Sequence, residues 1–352
     1  MRVANPSETG KLAAPNSAQN SSGLPRHILI GYWHNWQGDP AAYVPLREIV
    51  THFDVVNVAF AVPSNTGSGE IVFAPHTAIS AEQFKSDVLH LQSLGKKVLI
   101  SIGGAAGSIA IDNFAARHNF VDSITTIIQN YGFDGMDINL EGKVMLEQGD
   151  TDFKNPASPG IMHLIAAIRE VRNNFGSDFI LSMAPEMINV QGGFSAYDRL
   201  SGSYLPLIHD LRDILTYLQV QHYNSGALTA LDHNTYLPGT ADFQVAMTEM
   251  LLTGFPVQSN PDNIFPPLRP EQTVIGLAAF PNAVSDGYTA PSELQKALNY
   301  LTKGESFGGA YIRQSSTNYS YLRGVMTWSI NWDAANQHHF SNPVRSYLEA
   351  LA

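Results

Sequence analysis

The feature that most constrains this chain is a run of eight short segments rich in β-branched, aliphatic and aromatic residues. They lie at residues 27–34, 54–61, 97–102, 133–140, 179–184, 216–223, 274–279 and 325–330. Each is nearly continuous in apolar character, the pattern of parallel strands buried on both faces. Between them lie stretches with helical spacing. In residues 82–94, Phe84, Val88, Leu91 and Leu94 recur at intervals of three and four, and Gly95 follows as a stop. Residues 120–131, 161–175, 243–252 and 292–301 behave alike. Eight strands alternating with helices predict an α/β protein whose parallel sheet closes into a (β/α)8 TIM barrel. The open doubly wound alternative lacks a G-x-G-x-x-G after its first strand.

Composition narrows the function. The 352 residues hold 44% hydrophobic and 14% charged residues, which suits an enzyme with a large core. A net charge of −11 argues against a nucleic-acid partner and is compatible with a neutral polymer. There is no cysteine, hence no disulfide and no thiolate metal site, and the 12 His show no H-E-x-x-H spacing. We therefore expect no metal and no cofactor. No apolar run is long enough to cross a membrane. Residues 1–26, rich in Ser, Asn, Ala, Pro and Gly, read as a flexible lead without a secretory apolar stretch. Residues 27–352 read as one catalytic domain, expected to be monomeric.

The fourth strand carries the chemistry. Side chains alternate along a strand, so Asp137, Asn139 and Glu141 share one face, while Met136, Ile138 and Leu140 take the other. Three polar groups pointing into a barrel are costly unless they satisfy one another. Glu141 falls at the strand's C-terminal end, where barrel active sites lie. Asp134 has the opposite parity and reads as structural.

Six motifs occur in order: GYWHN (31–35), SIGG (101–104), FDGMDINLE (133–141), LSMAPE (181–186), QHYN (221–224) and WSINWD (328–333). On these the chain resembles glycoside hydrolase family 18, in its bacterial chitinase D-like group, over residues 27 to about 347. The departure is Asn139, where the family has Asp. The resemblance implies a retaining, substrate-assisted hydrolase of chitin and chito-oligosaccharides, polymers of β-1,4-linked N-acetylglucosamine. It implies Glu141 as the acid on the glycosidic oxygen and Asp137 as a nearby negative charge, held by Ser101 and Tyr32. It implies Tyr223 as a donor to the substrate's acetamido carbonyl, and Trp328 as the pocket floor. A chitinase is expected to be secreted.

Other residues carry two readings each. Tyr32, Phe60 and Met183 are strand-end core or substrate contacts. Ser101 to Gly104 is a strand-to-loop turn that also lets a ligand approach backbone. Glu186 and Asn224 are sugar contacts or loop scaffolding, and Gln221 belongs to the same post-strand motif as Tyr223. The four tryptophans, Trp33, Trp36, Trp328 and Trp332, fall at strands one and eight, which neighbour each other in a closed barrel. They are expected to cluster at one side of the mouth, with Trp33 among the substrate contacts. His338 and His339 read as a solvated loop pair. The span between strands seven and eight leaves no room for an α+β insertion, so an open, endo-acting groove is expected. Two further functions stay open: a chitin-binding, chitinase-like lectin whose catalysis is impaired by Asn139, and an endo-β-N-acetylglucosaminidase acting on N-glycans.

Overall fold

The computed structural model describes residues 23–351 except 66, 106 and 108; most of the lead read over residues 1–26 lies outside these. Eight strands form the barrel: β1 (Ile28–His34), β2 (Val55–Pro63), β3 (Lys97–Gly103), β4 (Gly135–Asn139), β5 (Ile180–Met183), β6 (Tyr217–Gln221), β7 (Thr273–Ala278) and β8 (Gly324–Trp328). Each pairs in parallel with its sequence neighbours, and β1 also pairs with β8 through Ile28–Gly324 to Gly31–Thr327, which closes the sheet. All eight segments read from the sequence are strands.

Eight helices accompany them: α1 (Ala81–Ser93), α2 (Phe114–Tyr131), α3 (Pro159–Phe175), α4 (Leu205–Leu211), α5 (Ala241–Thr253), α6 (Pro291–Lys303), α7 (Ile330–Ala335) and α8 (Ser341–Leu351). Capping decides where they start. α2 begins six residues before its predicted start because Asn113 accepts from the N–H of Ala116 at 3.0 Å. Strand β8 stops at Trp328 because Ser329 caps α7, accepting from Trp332 N–H at 3.3 Å. Strand β4 starts only at Gly135. Asp134, at its edge, accepts from Val98 N–H and from the Gln92 amide, both at 2.9 Å, and ties strands to helix as a structural residue.

Two apolar layers result. The larger lies between barrel and helices. The smaller fills the barrel, with Ile28, Ile30, Val55, Leu99, Ile180, Tyr217, Val274 and Met326, and Leu24 joins it just ahead of β1. Between β7 and β8 the only α-helix or strand is α6. In place of a subdomain, the buried carboxylate of Glu249 on α5 gathers the loop: it accepts from Tyr311 Oη and Gln314 N at 2.8 Å and Ser315 N at 3.1 Å. His338 is not simply solvated; its Nδ1 lies 3.1 Å from the buried Asp333 carboxylate, which also caps the start of α8 through Ser341 N–H.

Candidate active site

The inward residues of the barrel turn polar toward the C-terminal ends of the strands. Register places Asp137 beside Ser101 on β3 and Ser182 on β5. Asp137 is fully buried, and both its oxygens are occupied. Tyr32 Oη donates at 2.5 Å and Ser101 Oγ at 2.7 Å to one; Ser182 Oγ at 2.8 Å and Gln219 Nε2 at 2.9 Å donate to the other. Burial raises its pKa, and the four hydrogen bonds pull the other way. Ser182 and Gln219 were not singled out in the sequence. Their signal is a polar residue at inward parity within an otherwise apolar strand.

One layer up, Asn139 is buried with its amide against Glu141. With the nitrogen facing acceptors it donates to Glu141 Oε1 at 3.2 Å and to Ala184 O at 3.1 Å. Gln221 Nε2 donates to the same two oxygens, at 3.2 and 3.0 Å. Burial pushes the Glu141 carboxyl up and the negative charge of Glu186 adds to this, against the amide hydrogen bonds. A carboxyl so placed keeps its proton further into the neutral range than an exposed one, as a general acid must. Glu186 stands at the edge of the same site, paired as a bridge with Gln221. Tyr223, just beyond β6, is buried, and burial together with the charges of Glu141, Asp137 and Glu186 raises its phenol well above the ordinary value. It is a neutral donor, and its hydroxyl has no protein partner among the described residues.

Aromatic rings form a platform beside these groups. Trp328 stacks on Phe60 with centroids 5.9 Å apart at 10°, and touches Tyr32 at 5.6 Å. Trp36, the exposed outer ring, lies 6.3 Å from Trp328 and stacks on His34 at 4.4 Å. His34 is buried, its pKa lowered to about 4 by burial. Gly104 underlies Phe60: a Cβ there would sit 2.6 Å from the ring, and its φ of +71° is the left-handed region.

Four of the substrate-side readings do not hold here. Trp33 is fully buried on the outer face of β1, packed on Tyr43 and Phe84, its indole N–H donating to Val44 O at 2.8 Å; it contacts helices, not the groove. Alternation decides this, since Tyr32 points inward. Met183 fails for the same reason: Ser182 faces Asp137, so Met183 joins the outer layer. Asn224 adopts φ 52° and spends its side-chain oxygen on Ser285 and Asp286, which makes it loop scaffolding. Trp332 stacks on Phe280 at 5.8 Å rather than joining the platform.

The arrangement offers a proton donor, a fixed buried carboxylate, a phenol donor and a flat apolar floor. Asp137, with four donors on its two oxygens, is held rather than free to attack carbon. Known proteins are similar to this chain over most of its length. A chitinase of Paenibacillus xylanexedens is 49% identical over 338 residues, 96% of this chain and 64% of that protein. Chitinase D of Niallia circulans is 50% identical over 326 residues, 92% of this chain and 62% of that protein. The chain thus spans about three-fifths of the length of these two relatives. A family GH18 chitinase structure from Chromobacterium violaceum superposes with a TM-score of 0.84 at 36% identity, covering 94% of this chain and 86% of that one. With residues 28–341 matched by the sequence model of glycosyl hydrolases family 18, spanning the whole barrel and every residue of the site, the chain is a member of that family.

Proposed function

We propose that this barrel is a secreted, endo-acting chitinase that cleaves β-1,4-linked N-acetylglucosamine polymers with retention at C1. The observation that carries the mechanism is the fixed state of Asp137: with both oxygens engaged, the nucleophile is left to the substrate. The sugar to be cleaved rests on Trp328. Glu141 gives its proton to the glycosidic oxygen as the C1–O bond breaks, and the bonding pair leaves with that oxygen. The substrate's acetamido oxygen closes on C1, forming a cyclic oxazolinium, while the Tyr223 hydroxyl and the Asn139 amide orient it. Glu141, now a carboxylate, takes a proton from water as the water opens the ring. Two inversions give retention.

An open groove supports endo cleavage, since α6 is the only α-helix between β7 and β8 and raises no second wall. A polymer too large to enter a cell accounts for secretion. No helix among the described residues is long and apolar enough to cross a membrane. A site assembled within one barrel supports a monomer. Asn139 favours one second reading, a binding protein of reduced activity. Reducing ends released from colloidal chitin, against those from an N-glycosylated protein, distinguish chitinase, glycan-core hydrolase and lectin. Glu141→Gln keeps the side chain's shape and removes the acid. Chitin hydrolysis lost with oligosaccharide binding retained is the expected result; substantial turnover by this variant would overturn the assignment.

A further inference from the structure

Tyr223 stands past the end of β6, beyond the sheet bond from His222 N–H to Gly276 O at 2.8 Å. Its two chain neighbours both reach the same loop, residues 285–289 between β7 and α6. Asn224 does so directly: its N–H donates to Asp286 O at 3.0 Å, and its side-chain oxygen accepts from Ser285 N–H and Oγ, both at 2.9 Å. His222 does so through two side chains. Its Nδ1 lies 2.6 Å from Gln244 Oε1 on α5, Gln244 Nε2 donates to Thr289 Oγ1 at 3.0 Å, and Thr289 Oγ1 donates to Gly287 O at 3.3 Å. The chain has one direction. The Thr289 proton goes to Gly287 O, so its oxygen accepts from the Gln244 amide; the amide then turns its oxygen to His222, which carries its proton on Nδ1. The loop closes on the backbone between the two ties: a Cβ at Gly287 would sit 2.9 Å from Tyr223 Cα, and the φ of +84° there is left-handed.

His222, Gln244 and Thr289 are all buried, so none can touch a sugar. Gln244 sits on α5 among the buried apolar residues Phe243, Val245, Ala246 and Met247, where leucine would pack as well. An apolar contact tolerates sliding, whereas a satisfied hydrogen-bond chain fixes length and angle. We propose that His222, Gln244 and Thr289 are positioning residues for Tyr223: with Asn224 they clamp its backbone from both sides onto the loop after β7, so the hydroxyl is aimed before substrate arrives. The inference rests on the chitinase reading and adds to it the means by which the acetamido donor is held. A misplacement of about 1 Å at a reacting group can cost about 10²-fold in rate, so a loosened clamp shows in kcat.

Thr289→Val keeps the side chain's shape, removes the last donor of the chain and leaves the Gln244 amide without its acceptor. The proposal expects kcat on chitohexaose to fall about tenfold with KM little changed. Thr289→Ser, which keeps the hydroxyl, should retain the wild-type kcat. In a Tyr223→Phe background there is no hydroxyl to aim, and Thr289→Val should then cost less than about twofold. Equal losses in both backgrounds, or no loss in the first, would overturn the inference, since a merely structural residue lowers activity whether or not the hydroxyl is present. Amide exchange needs no turnover: residues 222–226 and 285–289 should exchange about tenfold faster in Thr289→Val, with the rest of the barrel unchanged. A wild type inactive on chito-oligosaccharides, with that exchange response, overturns the chitinase reading and keeps the clamp. An active wild type without it overturns the clamp alone.

Discussion

Asn139→Asp restores a carboxylate to a position where its effect can be worked from the geometry. The Asn139 amide lies 3.2 Å from Glu141 Oε1, and the residue is almost fully buried. Two unit charges at that distance repel by about 5 kcal/mol at an effective dielectric constant near 20. The pair cannot both ionise near neutrality; it holds one proton between the two groups. Adding a negative neighbour raises the pKa of the acid, so Glu141 remains protonated to higher pH. The basic limb of the kcat/KM profile moves upward. The new carboxylate also faces the positive charge that develops on the ring in the transition state. One preorganised electrostatic partner is worth on the order of 10²–10³ in rate. The assay is chitohexaose hydrolysis across the acid-to-neutral range, with ligand Kd measured in the Glu141→Gln background. Hydrolysis about a hundredfold faster, with little change in Kd, is the expected outcome. An unchanged rate with an unmoved basic limb would refute the reasoning and show that the amide suffices.

Other perturbations separate chemistry from packing. Tyr223→Phe removes the unpaired phenol donor and should lower kcat by about 10²-fold with a smaller change in KM, read in steady-state kinetics. Trp33→Ala deletes a fully buried side chain of the outer layer and should cost about 3–5 kcal/mol in urea unfolding, with kcat per folded molecule retained. His34 and His222 are buried, with pKa values lowered from 6.5 to about 4. The unfolded chain therefore binds the extra protons first: stability is complete above 6.5 and is lost as pH falls toward 4. His34→Phe should flatten that acid slope in denaturant titrations; an unchanged slope would count against it.

Strand identity was legible because both faces of each barrel strand are buried, so apolar runs have no competing explanation. The candidate catalytic row was legible for a related reason, since Asp137, Asn139 and, just past the end of β4, Glu141 are polar residues at one parity with no packing role. What escaped was decided by neighbours in space. Trp33 and Trp36 differ little in sequence context, yet strand alternation sends one to the helices and leaves the other at the mouth. Met183 could have been placed by aligning Ser182 with Asp137 across the sheet, a register that no single segment displays. Asn224 turns on a positive φ and on partners about sixty residues away. Helix α4 escaped because Leu205–Leu211 is short and apolar on nearly every side, so it shows no periodic face.

The anchoring of Asp137 has a consequence for how this barrel comes apart. Its two oxygens tie β4 to β1, β3, β5 and β6 at once, so five of the eight strands meet in a single side chain. Any opening of the sheet along β4 strands a buried charge and four donors together. The catalytic end of the barrel should therefore unfold as one cooperative block, with the amides of β4 among the slowest to exchange with solvent. Inactivation and unfolding would then share one transition. On the proposed mechanism, a replacement at 137 would silence the enzyme by loosening its frame, whereas a replacement at Glu141 would silence it while the frame stands.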